Sequence, residues 1–113
     1  MRLYKILSRP EWDAARAAGR FEGSAVDRAD GFIHLSTAAQ APETARRHFA
    51  GQADLVVLRL DAEPLGAALE WELSRGGELF PHLYGPLDCA LVEAVADASP
   101  DADGVPQLGD LIP

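Results

Sequence analysis

Apolar positions along the chain alternate, cluster and break in a way that divides most of its length into short elements. Residues 2–7, Arg-Leu-Tyr-Lys-Ile-Leu, predict a strand, and Ser8-Arg9-Pro10-Glu11 then sets an N-cap serine three residues ahead of a glutamate, which opens a helix over 9–18 that stops at Gly19. Trp12 on this helix is assigned to the core. Residues 20–30 mix Gly, Asp, Arg and Ser without a sustained period and read as a loop with one helical turn at 24–27. Gly31-Phe32-Ile33-His34-Leu35-Ser36 reads as a strand leaving a turn, and Thr37 with Gln40 caps a second helix over 38–50 that stops at Gly51.

Leu55-Val56-Val57-Leu58-Arg59-Leu60 is a nearly continuous apolar run, the signature of a central strand covered on both faces. In Leu69-Glu70-Trp71-Glu72-Leu73 apolar and acidic residues alternate, which predicts a buried face carrying Trp71 and an opposite face shared by Glu70 and Glu72. Residues 78–86 follow the Gly76-Gly77 turn as an extended piece, and Pro81 and Pro86 argue against a central strand there. Phe80 is assigned to packing beside Trp71. Residues 89–95 form a last strand, and residues 97–113, rich in Asp, Pro and Gly, read as an acidic, poorly ordered tail behind a single domain at 1–96. Too few helices separate the strands after residue 54 for parallel crossovers, so the fold class is α+β.

Composition narrows the partners. Of the 113 residues, 18 are acidic and 10 basic, a net charge of -8 that repels a phosphate backbone, so nucleic acid is not an expected partner. Arg75 is the last basic residue, which leaves residues 76–113 without a cation. Cys89 alone forms no intramolecular bridge, in keeping with a reducing compartment. No stretch approaches the length of a membrane span. The expectation is a soluble, cytoplasmic protein with no membrane partner and an oligomeric state left open.

Three histidines differ in context. His48 lies beside Arg46 and Arg47 and is read as a solvated helix residue. His34 sits mid-strand with Ser36 two residues on, hence on the same face in a continuous strand. His82 lies between Pro81 and Leu83 in a segment crowded with aromatics. With Ser36, Glu72 and Tyr84 these two supply a general base, a carboxylate and an aromatic plate, and the five are expected to converge on one cleft. There is no HExxH or comparable ligand spacing, GxGxxG, P-loop or nucleophile elbow, so no metal is assigned.

The segments Asp30 to Thr37, Leu69 to Glu72 and Phe80 to Leu87 resemble the bacterial family called domain of unknown function 952, over roughly residues 2–95. Ile33-His34-Leu35-Ser36, the helix after it and Val56 to Ala62 are also similar to the RNA 2'-phosphotransferase family. That second resemblance implies an ADP-ribosyltransferase-like fold, with two small, mostly antiparallel sheets flanking a cleft that binds NAD. It implies His34 on the ribose, Tyr84 stacked on nicotinamide, and Glu72 or Glu93 as the carboxylate that favours an oxocarbenium-like transition state. His34, Glu72 and His82 are thus the candidate catalytic residues, and Ser36, Thr37, Tyr84 and Arg28 the candidate substrate-binding residues. The chain departs from the phosphotransferases in lacking an N-terminal Arg-His pair, which argues against RNA repair. Two functions stay open: an NAD-using transferase or glycohydrolase, and a non-catalytic binding or interaction module on the same fold.

Overall fold

The computed structural model describes residues 1–111. Among the described residues every strand pairing is antiparallel, and the strands form three sheets rather than two. The largest has four strands in the order β4 (Ser36–Thr37), β1 (Arg2–Ser8), β5 (Leu55–Asp61) and β9 (Val92–Asp97). A second holds β3 (Ile33–His34), β7 (Leu79–Leu83) and β6 (Leu69–Leu73), with β7 in the middle, and β2 (Arg20–Phe21) pairs with β8 (Leu87–Asp88). The helices are α1 (Arg9–Ala18), α2 (Ala25–Asp30) and α3 (Ala41–His48).

β5 is central because its side chains find apolar partners on both faces. Val56, Leu58 and Leu60 join Leu3, Leu7, Trp12, Phe21, Ile33 and Leu83 in the core under α1 and the smaller sheets. Val57 and Leu55 join Tyr4, Ile6, Ala41 and Ala45 on the other side. Ala98 and Leu108 are buried in this second core, Pro100 bridges Pro106, and the Tyr4 hydroxyl donates to the Leu111 carbonyl. The poorly ordered tail expected over 97–113 is therefore not what residues 98–111 form. Their apolar side chains cover a sheet face that would otherwise meet water, while Asp101 and Asp103 stay exposed. Residues 112 and 113 of that expectation lie outside the described residues.

Three local expectations change. The second helix is shorter than 38–50: Thr37 and Gln40 do bond each other's backbone amides, but they close a turn, and the helix starts only with Pro42 in its first turn. Residues 89–91 form a 3-10 turn, since the Asp88 carboxylate accepts from the Ala90 amide, and β9 begins at Val92. Most informative is β7, central despite Pro81. The Pro81 carbonyl accepts from the Leu35 amide, so the missing N–H faces the same side, just where β3 ends. The substitution of proline costs the sheet one bond at a strand terminus, and the β6 side is untouched.

Candidate functional site

The chemistry gathers on one face of the three-stranded sheet. His34 and His82 are cross-strand partners in β3 and β7, and Glu70 stands opposite His82 on β6. Glu72 shares that face, and its Oε1 lies 2.8 Å from His82 Nδ1 and accepts from the Tyr84 hydroxyl at 2.7 Å. Both hydrogen bonds, Tyr84 first, hold the Glu72 carboxyl below the usual glutamate range, and the same bond pushes the Tyr84 phenol up. Phe32 supplies the aromatic plate. Its ring stacks on His82 at 4.0 Å and 24°, and tilts against His34 at 4.6 Å and Tyr84 at 5.3 Å. The two imidazoles meet edge-on, 5.6 Å between centroids.

His34 is held from behind by α2. Ser24 caps this helix, and Asp27 closes the capping box through Oδ2, which accepts from the Ser24 amide and hydroxyl at 3.0 and 3.1 Å. Gly31, at φ 88°, ends the helix in a left-handed turn and sends the chain into β3. Asp27 Oδ1 is then reached by the His34 amide at 3.1 Å and by His34 Nδ1 at 2.6 Å. Lys5 of β1 completes the group, 2.8 Å from Asp27 Oδ2. The Asp27 side chain is 1% exposed and that of Lys5 5%. Burial alone would raise the Asp27 carboxyl, but the His34 hydrogen bond and the Lys5 ammonium outweigh it and hold the group well below the usual range. Burial in turn pushes the Lys5 ammonium down against the pull of Asp27. A side chain at Gly23 would bring its Cβ to 2.9 Å from that of Asp27, so a glycine is required there.

The site residues expected from the sequence divide into two groups. His34, His82, Glu72 and Tyr84 share the face just described. Ser36 does not, because β3 ends at His34 and β4 belongs to another sheet: the change of sheet at Leu35 breaks the alternation that would have aligned them. The Ser36 hydroxyl is buried against Thr44 of α3. Thr37 accepts from the Gln40 amide and lines a separate cavity of about 720 Å³ with Arg2, Arg59 and Glu93. Glu93 lies 3.3 Å from Arg2 and 3.6 Å from Arg59, so of the two candidate carboxylates only Glu72 stands with the histidines. Arg28 donates to the Gly23 carbonyl and lines a cavity of about 330 Å³ together with Asp27, Phe32 and Pro86. Trp71, expected in the core, shares its face with buried Pro81 and Leu83 but stays partly exposed on edge strand β6, whereas Phe80 and Trp12 are buried. His48 is exposed at the end of α3.

Sequence reasoning missed Asp27, Lys5 and Phe32. Each left a signal: Ser24 and Asp27 have capping-box spacing, Lys5 interrupts an apolar strand, and Phe32 is two residues from His34. Among the described residues no group of three or more His, Cys, Asp or Glu side chains is arranged to hold a metal ion. Among the described residues no helix is long and apolar enough to cross a membrane.

Solved structures share this architecture. The crystal structure of protein CC0527 from Caulobacter crescentus matches with a TM-score of 0.96 at 65% identity, covering 99% of this chain and 98% of that one. The solution NMR structure of CC0527 matches at 0.86 and 66% identity, covering 97% and 95%. No curated protein matches the chain. The family model described as protein of unknown function (DUF952) matches residues 6–95, the span that carries His34, His82, Asp27, Glu72 and Tyr84, and the chain belongs to that family.

Proposed function

We propose that the His34, His82, Glu72 and Tyr84 face, with the cavity beside Phe32 and Arg28, binds NAD or a related nucleotide and supports ADP-ribosyl transfer or N-glycoside hydrolysis. The observation that carries this reading is the union of aromatic faces with one ionised, partly exposed carboxylate: Phe32 and His82 stack, Tyr84 stands beside them, and Glu72 is bonded to both His82 and Tyr84. A planar nicotinamide or adenine gains from stacking on such rings. Positive charge developing at the ribosyl C1' is stabilised by a carboxylate fixed in advance. In the reaction the C–N glycosidic bond breaks and nicotinamide leaves with the bonding pair. Water or an acceptor group then adds at C1', and its proton passes to Glu72. His34 meets a ribose hydroxyl through Nε2, displacing exposed Asp30, whose Oδ2 lies 2.9 Å from that nitrogen. Arg28 at the cavity rim pairs with the diphosphate.

The test is an NMR titration of labelled protein with NAD, ADP-ribose and nicotinamide. NAD and ADP-ribose are expected to shift Phe32, His34, His82 and Tyr84 in the wild type and to leave His34→Ala unmoved. Nicotinamide release is expected to fall on the order of 100-fold in Glu72→Gln. Millimolar NAD that moves no resonance on this face of a folded sample refutes the reading. A non-catalytic interaction module is favoured by one other feature, the apolar end of the β6–β7 hairpin, where Leu73 is 72% and Leu79 51% exposed. That alternative takes the lead if the titration fails.

A further inference from the structure

β1 buries a lysine on a face where its neighbours are Leu3 and Leu7. An apolar side chain would pack there without desolvating a charge, so the ammonium needs an explanation beyond packing. It donates to Asp27 Oδ1 at 3.1 Å and to the His34 carbonyl at 3.0 Å, and lies 2.8 Å from Asp27 Oδ2 as an ion pair. Lys5 therefore holds both the carboxylate and the backbone of the residue whose ring that carboxylate touches.

The proton inventory then fixes the imidazole. Asp27 Oδ2 accepts from the Ser24 amide and hydroxyl and faces the Lys5 ammonium, and Oδ1 accepts from Lys5 and the His34 amide. A carboxylate beside an ammonium, reached by that many N–H and O–H groups, acts only as an acceptor. Nδ1 of His34, 2.6 Å from Oδ1, must then be the donor. In the neutral ring Nε2 is left with its lone pair 2.9 Å from Asp30 Oδ2, an arrangement of two acceptors that either a proton on Nε2 or an incoming hydroxyl donor relieves. The remaining polar ring nearby, His82 of β7, is directed to Glu72.

We infer that Lys5 is a positioning residue: through Asp27 it fixes neutral His34 as the Nδ1–H tautomer, so that Nε2 serves as a proton acceptor for a ligand hydroxyl. The inference deepens the nucleotide reading by assigning the ribose hydroxyl as donor and His34 as acceptor, and it rests on that reading only for the identity of the ligand. Lys5 touches no substrate; it acts through Asp27.

The experiment is long-range proton–nitrogen NMR on the histidine rings, recorded without ligand at a pH where His34 is neutral. In the wild type, His34 is expected to show a pyrrole-like Nδ1 and a pyridine-like Nε2; the reverse pattern overturns the inference. Lys5→Met alone leaves a buried carboxylate without its cation and risks unfolding. The double variant Lys5→Met with Asp27→Asn removes both charges and is the folded comparison. It is expected to lose the single-tautomer signature and to bind ADP-ribose about tenfold more weakly, the equivalent of one ordinary hydrogen bond, with nicotinamide binding unchanged. Wild-type nitrogen shifts and full ADP-ribose affinity in the double variant also overturn it. The ligand-free spectrum separates the two readings: the expected tautomer without any NAD response removes the nucleotide alone, whereas NAD binding with a pyridine-like Nδ1 removes the role of Lys5 alone.

Discussion

The four-stranded and three-stranded sheets both contain short apolar runs, yet those runs have opposite fates. In β5, Val56, Val57 and Leu58 lose all contact with water. In β6, the alternation Leu69, Trp71, Leu73 predicts a buried face just as plainly, but Trp71 remains 39% exposed. The difference is neighbours. β5 is flanked by β1 and β9 and covered on both faces, whereas β6 is an edge strand with β7 on one side only. Alternation identifies which residues share a face, and the place of the strand in its sheet decides whether that face is covered. The same contrast locates the chemistry: a thinly covered sheet leaves Glu72, Tyr84 and His34 within reach of water and ligand, while the thick sheet holds the chain together.

Lys5 and Asp27 join these regions, so the largest expected effect falls on both at once. Lys5→Met leaves Asp27 as an uncompensated buried charge and is expected to cost about 3–5 kcal/mol in urea unfolding. A loss under 1 kcal/mol would mean that the pair does not bind β1 to the His34 face. Next comes Leu58→Ala, which opens a cavity in the large sheet and is expected to cost about 2–5 kcal/mol. If the regions divide labour as described, the histidine ring nitrogens of this variant keep their wild-type shifts below its unfolding midpoint.

Acid sharpens the contrast further. The Asp27 carboxyl is depressed in the folded protein and titrates near 3.9 when unfolded, so the folded state binds fewer protons at low pH. By linkage its contribution is present above about pH 4 and is lost as pH falls through and below that value. Unfolding midpoints recorded from neutral pH downward are expected to fall more steeply in the wild type than in the Lys5→Met, Asp27→Asn double variant. Parallel curves would show that other carboxylates govern the acid limb.

Legibility from sequence followed how local the determining forces are. The first helix is found at 9–18 because Ser8, Glu11, Pro10 and Gly19 all act within one turn of its ends. The β5 strand is found because its run is apolar enough to be buried whatever surrounds it. A continuous strand would put Ser36 beside His34, and the switch between sheets at Leu35 depends on β1 and β7, which are distant in sequence. Asp27 carried a visible capping signal, but its contact with Lys5 spans 22 residues and has no sequence spacing to reveal it. The convergence of His34, His82, Glu72 and Tyr84 is an expectation from their combined chemistry; no period or spacing in the sequence brings them together.

The smallest expected effect concerns the two tryptophans, one in each region. Trp12 is 6% exposed under the four-stranded sheet, and Trp71, paired with Pro81 on edge strand β6, is 39% exposed. Trp71→Phe removes little buried area and is expected to change stability by less than about 0.5 kcal/mol, leaving Trp12 as a reporter with blue-shifted emission that acrylamide quenches poorly. Trp12→Phe leaves Trp71, whose emission is expected to be red-shifted and readily quenched. Glu72 and Trp71 are successive residues of one strand and point to opposite faces. A ligand bound at Glu72 should therefore leave the Trp71 emission and its quenching unchanged. If NAD instead protects Trp71 from acrylamide, the ligand or a partner occupies the Trp71 side of β6, and the assignment of the chemistry to the Glu72 face would have to be redrawn.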